Sequence, residues 1–329
     1  MPQSITNTSI MMSDNIHIFT YKLHDWICID KISWKWLSSN PNAINLLEAN
    51  QDKICWETLS SNPNAIHLLE LNKDKICWET LSSNPNAIHL LKANTDKINW
   101  VILSSNLNAI QLLKANPDKI NWSKLSSNPN AIDLLERNLD KIDWALLSFN
   151  PNAVHLFERN PDLIYWRTLS SSPNAINILE KNIDKINWFL LSSNPNAIHI
   201  LEKNQDKIDW GSLSRNPNAI QLLVENYDKI NWSLLSLNPN AIHLFVGNQH
   251  RLDWHKLSIV PNMINFLESN KDRIVWPFVS LNPSIFEKKF NYKFLKERMD
   301  MIREELIVKC MHPDRLQRWL EIGGDIDDF

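Results

Sequence analysis

Glycine is almost missing from this chain, with four residues in 329. A phosphate-cradling loop and a nucleophile elbow both need glycine where backbone approaches a ligand, and neither motif occurs. The scarcity has a second consequence. Helices often close on a left-handed residue, usually Gly and otherwise Asn, so Asn is expected to close most helices here.

Cysteine is scarce too. Cys28, Cys55, Cys77 and Cys310 have no disulfide or zinc-knuckle spacing. Cys55 and Cys77 share one repeat position. Stacked helices lie about 8–10 Å apart, whereas a disulfide needs Cα atoms within about 7 Å. Free thiols in a reducing compartment are expected. No apolar run approaches the ~20 residues of a membrane-spanning helix. Met1 to Asn15 is polar and lacks the apolar core of a secretory signal, so 1–17 is expected to be a disordered leader. Excess charge is also lacking. Lys+Arg number 34 and Asp+Glu 37, a net −3, which gives no global field for nucleic acid or an anionic membrane. No catalytic or metal-ligand constellation stands out. No enzymatic activity, cofactor, metal or small-molecule substrate is therefore expected.

What the chain does have is periodicity. Trp34, Trp56, Trp78, Trp100 and their successors to Trp276 recur every 22 residues without insertion or deletion. A fixed period of this size marks a tandem array, whose units contact only their neighbours. The length prior for two domains does not apply to such a chain.

The segment from Trp56 to Cys77 serves as the type unit. Asn62 and Pro63 look like a cap and first helical residue, with Ala65, Ile66, Leu68 and Leu69 forming one apolar stripe over a helix at about 63–71. Asn72 follows the stripe. The shorter first half carries Trp78, Leu81 and Ser82 in the next unit. Either Asp74 caps this helix, or the residue before Trp does. That residue is Ser33, Asn99, Asn121, Asp143, Asn187, Asp209, Asn231 or Asp253 in most units. The second assignment is favoured, because it sets Ile76 just before the cap and Leu81 at the fourth helical position, a hydrophobic staple. Helices this short are not stable alone, so stacking must hold them. The expected fold is an all-α solenoid of eleven to twelve short helix pairs over 34–290, a rod on the order of 100 Å long at one layer per unit. A helical N-terminal cap is expected over 18–33, where Phe19, Leu23, Trp26 and Ile27 keep helical spacing. A helical C-terminal cap with an acidic tail is expected over 291–329. Its face would carry Phe294, Leu295, Met299, Ile302, Leu306 and Cys310, followed by a last short helix from His312 to Ile322.

The unit "LSSNPNAIHLLEKN-DKINW" and the ending "HPDRLQRWLEIGGDIDDF" resemble uncharacterised 22-residue repeat proteins of giant DNA viruses of the Mimivirus type. The resemblance covers about residues 23–329. It implies a viral product in host cytoplasm or the virion, and no particular activity. Departures from the pattern fall at Leu107 for Pro, Ser172 and Val260 for Asn, His250 for Asp and Leu163 for Lys.

Several columns suggest chemistry. His67, His89, His155, His199 and His243 share one position of the second helix, opposite the apolar stripe. Side chains a layer apart do not converge on one ion, so a solvated polar column is expected, or a row of partner contacts. A Lys column (Lys53, Lys75, Lys97 and successors) suggests a polyanion track. Asp before each Lys, and a parallel Glu column, suggest a self-neutralising face instead. The tryptophans are assigned to core packing rather than to base stacking. The two residues after each Trp vary freely, and Val101, Ile102, Phe189 and Leu190 place apolar groups there, which suggests docking spots. The expected function is a non-enzymatic scaffold for host or viral proteins. A nucleic-acid binder using the Lys column and a virion structural component are the alternatives.

Overall fold

The computed structural model describes residues 19–310 together with Arg315 and Gln317. The leader at 1–17, most of the last short helix and the acidic tail fall outside the described residues.

Each unit holds three short elements. In the type unit these are a first helix, Trp56–Leu59, a second helix, Ile66–Leu71, and a 3-10 turn, Lys73–Lys75. The all-α repeat architecture follows the sequence expectation. The core is built from fixed positions: Leu59, Ala65, Leu69 and Ile76 are buried, as are their counterparts along the array except the half-buried Ile164.

Seven of the eight expected caps hold, and Ser33 is the exception, since its side chain makes no cap bond to helix Trp34–Leu37. Asn99, Asn121, Asp143, Asn187, Asp209, Asn231 and Asp253 each accept a hydrogen bond from the backbone N–H three residues on, satisfying an orphan donor. The second helices differ from expectation. They begin near Ile66, not Pro63, and Asn62 is no helix cap. Its Oδ1 accepts from Asn64 N at 3.0 Å in an Asx turn. Closure differs as well. Asn72 has φ −128°, not left-handed, and its Nδ2 donates to Leu68 O at 3.0 Å. The side chain satisfies a terminal carbonyl that an αL residue would otherwise cover.

What joins the units is a pair of buried polar side chains. Asn62 Nδ2 donates to Ser38 O and Asn40 O of the preceding unit, both at 3.0 Å. The bonds recur wherever Asn holds this position. Ser60 Oγ donates to Trp56 O at 2.7 Å and accepts from Cys77 N of the next unit at 3.0 Å.

The same bonds connect the two ends of the array. Asn40 Nδ2 donates to Ser280 O and Asn282 O, both at 3.1 Å. Ser33 N donates to Ser280 Oγ at 2.7 Å, and Asn42 Nδ2 to Pro283 O at 3.0 Å. The first unit thus follows the twelfth as the second follows the first. Residues 23–286 form a closed ring, not the open rod expected, and equal steps require a turn of about 30° per unit. The twelfth unit is composite. Its helix Trp276–Val279 comes from one end of the array, and its 3-10 turn, Ile29–Lys31, from the other.

The first helices take the inside of the curve. Neighbouring first helices, such as Trp122–Ser126 and Trp144–Leu147, approach more closely than neighbouring second helices of equal or greater length.

The N-terminal segment is a correction. Phe19–Leu23 is a strand, β1, not part of a helical cap, and it pairs with β2, Phe286–Phe290. Phe, Thr and Tyr favour the pleated surface, and a pairing partner outweighs the weak helical spacing. Phe19 packs on Phe290 at 5.0 Å, with Lys288 over its ring. Tyr292–Cys310 is a helix, matching the helix expected to begin the C-terminal cap, and Met299, Ile302 and Leu306 on it are exposed. Among the described residues no helix is long and apolar enough to cross a membrane.

Closure yields a direct test. Asn150→Ala removes two inter-unit bonds and should cost about 2 kcal/mol, the penalty of leaving buried groups unpaired. Asn40→Ala should cost the same in denaturant unfolding. In an open array Asn40 would lack those partners, so a silent Asn40→Ala beside a damaging Asn150→Ala would refute the ring.

Candidate interaction surface

The variable pair after each Trp sits on the one-turn first helix. Phe189 is 57 % exposed and Val101 47 %. Ile102 and Leu190 are half-buried, and their backbone N–H groups serve the Asn99 and Asn187 caps at 3.1 and 3.0 Å. The two apolar pairs occupy one column four units apart and do not merge into one patch. Neighbouring members of the two post-Trp columns touch across the unit boundary. Thr58 Oγ1 donates to Lys35 O at 2.7 Å, and Lys256 Nζ to Ser233 Oγ at 2.7 Å. Trp36 meets Phe278 edge-on at 4.8 Å, and Phe278 meets His255 at 5.5 Å.

The histidine column lies on the second helices, away from the post-Trp pair. Four of its members bond to the Glu of the preceding unit. His89 reaches Glu70 at 2.8 Å, His155 reaches Glu136 at 2.9 Å and His199 reaches Glu180 at 2.6 Å, and His67 contacts Glu48 likewise. His243 is the exception, because Val224 holds the Glu position. The column is a series of inter-unit struts, which accounts for its regularity. Among the described residues no three potential metal ligands come together.

The Lys column has a partner that the sequence reading assigned elsewhere. Lys53, Lys75 and Lys97 place Nζ over the rings of Trp34, Trp56 and Trp78 at 4.8, 4.7 and 4.7 Å. Arg251 and Arg273 continue the series over Trp232 and Trp254. At the seam Lys31 covers Trp276 at 5.4 Å. Lys119 departs and lies 3.5 Å from Asp118. The tryptophans are therefore not dry core. Trp232 is buried and the others are half-buried, with one face available to a cation attracted by the ring quadrupole. The constant offset of 19 residues from Trp to Lys was the available signal, but the 22-residue period alone does not say which columns meet.

Sequence reasoning also missed exposed apolar groups off the post-Trp column. Phe149, Leu163 and Tyr165 are exposed in the sixth unit, where Leu163 replaces the cation above Trp144. Cys28, Cys55 and Cys77 are free thiols. No protein-family model, curated protein or solved structure matches the chain.

One carboxylate stands apart. Burial opposes ionisation of Asp253, but hydrogen bonds from the Lys256 side chain and N–H and from the Ser233 hydroxyl, with the Lys256 charge, outweigh it and hold the carboxyl below its ordinary value. A depressed folded-state pKa stabilises above the unfolded-state value and is lost as pH falls through the folded one. Asp253→Asn should therefore flatten the acid limb of the stability curve below the usual aspartate range, and an unchanged limb would refute the assignment.

The cation–π contacts predict a contrast. Lys97→Gln should cost roughly 0.5–1 kcal/mol, and Lys119→Gln less, because Lys119 is turned to Asp118. Equal losses in thermal unfolding would show that the ring contact contributes nothing.

Proposed function

We propose that the chain is a non-enzymatic protein-interaction scaffold. One observation carries this reading. The positions that join units are fixed and buried, whereas the pair after each Trp varies and exposes large apolar groups, Phe189 and Val101 foremost. Apolar groups held exposed on a rigid frame suit a protein partner, whose binding energy concentrates in a few anchors. If the chain belongs with the giant-virus repeat proteins it resembles, that partner is a host or viral protein.

A nucleic-acid reading draws on a separate observation. The Lys column rests on tryptophan faces, and few of its members pair with the adjacent Asp. Cations held this way keep their charge for a phosphate backbone. The Asp residues beside them remain exposed and oppose such a field, so the protein reading stands first.

Two variant sets separate the readings. Phe189→Ser with Leu190→Ser should leave the melting temperature nearly unchanged and weaken partner binding by more than ~1 kcal/mol. Lys75→Gln, Lys97→Gln and Lys119→Gln should leave protein binding intact. If the lysine set abolishes binding and generic RNA or DNA binds with a steep salt dependence, the scaffold reading is wrong.

A further inference from the structure

The ring gives the variable pairs a common direction. On each first helix the third and fourth residues after Trp, such as Leu103 and Ser104, are fully buried. Successive helical residues turn by about 100°, so the first and second residues after Trp point the opposite way. The first helices hold the inside of the curve, and the second helices lie behind them. The post-Trp pairs therefore face the ring axis. Their contacts fit this placement, since side chains converge on a concave surface. Trp36 and Phe278, in neighbouring units, lie 4.8 Å apart.

The size of the opening follows from the packing. Twelve first helices at about 8–10 Å spacing set a circle roughly 30–38 Å across. Subtracting one helix diameter, about 10–12 Å, leaves an opening of roughly 20–25 Å. The most exposed or aromatic apolar groups of the wall fall at three places, with Leu146 and Leu234 half-buried in units between them. Val101 with Ile102, Phe189 with Leu190, and Phe278 against Trp36 are each four units apart. Four steps of about 30° set them roughly 120° apart around the axis. The wall carries four cations, Lys35, Lys124, Arg167 and Lys256, against Glu57 and Glu79, and Lys256 is paired with Asp253 at 3.1 Å. The dense Asp, Glu, Lys and His columns lie on the other elements of each unit.

From this, and resting on the scaffold reading, we infer that the opening of the ring is the binding site and that its occupant is an α-helical segment of a protein partner, two or three helices thick and apolar where it meets the wall. A single helix of about 10–12 Å cannot reach all three apolar places. A bundle fills the opening and reaches them. Nucleic acid would meet only three unpaired cations, Lys35, Lys124 and Arg167, interrupted by Glu57 and Glu79, a sparse track for a phosphate backbone.

The test uses the full chain and a defined probe. The probe is a fluorescent helical-hairpin peptide of two helices of about 18 residues each, or roughly five turns, with Leu on the outward face of each helix as well as in their seam, Gln, Glu and Lys elsewhere, and no net charge. Wild-type protein should bind it saturably by anisotropy, and a sequence-scrambled version much less. Val101→Ser with Ile102→Ser, and Phe189→Ser with Leu190→Ser, should each weaken binding by about 5-fold or more. Thermal unfolding checks that both variants fold. A photo-crosslinking residue at position 189 should capture the peptide, and one at position 75 should not. Capture at 75 but not 189 would overturn the axial site and leave the scaffold reading standing. A wild-type protein that binds a single-stranded oligonucleotide and not the peptide would overturn both. Failure to bind either probe would overturn the axial site.

Discussion

The structure depends above all on one buried contact, the asparagine that reaches back across ten of the twelve unit boundaries. Asn62 makes three bonds, using both donors of Nδ2 on carbonyls of the preceding unit and one acceptor site of Oδ1 on its own turn. A buried amide is costly unless its groups are paired, so the contact has a narrow geometry. Apolar stacking of Leu and Ala is tolerant of sliding. The Asn bonds are not, and they fix the geometry of every step that carries them. Closure follows from that regularity, because a small constant rotation repeated without error returns the chain to its start. Where the position changes to Ser172 or Val260, both neighbouring units still hold the ladder bonds on either side.

Closure changes what the ends of the array must do. An open solenoid exposes apolar faces at both termini and needs polar capping units. Here each unit has two neighbours, and the end segments complete a shared unit. Lys31 covers Trp276 as Lys53 covers Trp34, although the chain never joins them directly. The second helix of the twelfth unit is the one that cannot be supplied from within the repeat. The chain leaves the pattern after Ile285, and strand pairing between β1 and β2 begins there. Fraying, which starts at the ends of an open array, has no ordinary starting point in a ring.

Most of the fold was legible in the sequence, and what was not shares one cause. The period, the buried Leu and Ala positions and the caps before each Trp are local signals, decided by residues within one turn of each other. Asn62 carried two compatible meanings, a helix cap and an inter-unit donor, and one unit viewed alone favours the cap. Asn72 was misassigned because scarce glycine left the αL closure as the obvious role, whereas a side-chain amide reaches the same carbonyls without strain. The helical spacing of Phe19, Leu23, Trp26 and Ile27 was real but had no helix to pack on. Ring and rod differ only in the step angle, which no sequence period encodes. The candidate anchors Val101 and Phe189 were legible as departures from polarity, whereas their common direction required the ring.

The half-burial of the tryptophans ties these threads together. A tryptophan fully inside the core would not accept a cation, and a lysine in water would leave its neighbouring Asp as the natural partner. By setting the Lys stem and charge on the indole face, the unit covers apolar surface with a flexible side chain whose head stays wet. The outer columns thereby remain charged, mixed in sign and soluble, with His and Glu struts closing the gaps between second helices. Such a surface gives little purchase to a protein partner. Large apolar side chains also occur off the first-helix pairs, as at Leu71 and at Phe149, whose column continues with Leu237, Ile259 and Leu281. On the first helices the two pairs with an exposed large apolar member, Val101 with Ile102 and Phe189 with Leu190, lie four units apart. The charged outer columns and the mixed first-helix pairs are thus two outcomes of one repeat, in which Trp and Leu are fixed by stacking and the two residues between them vary.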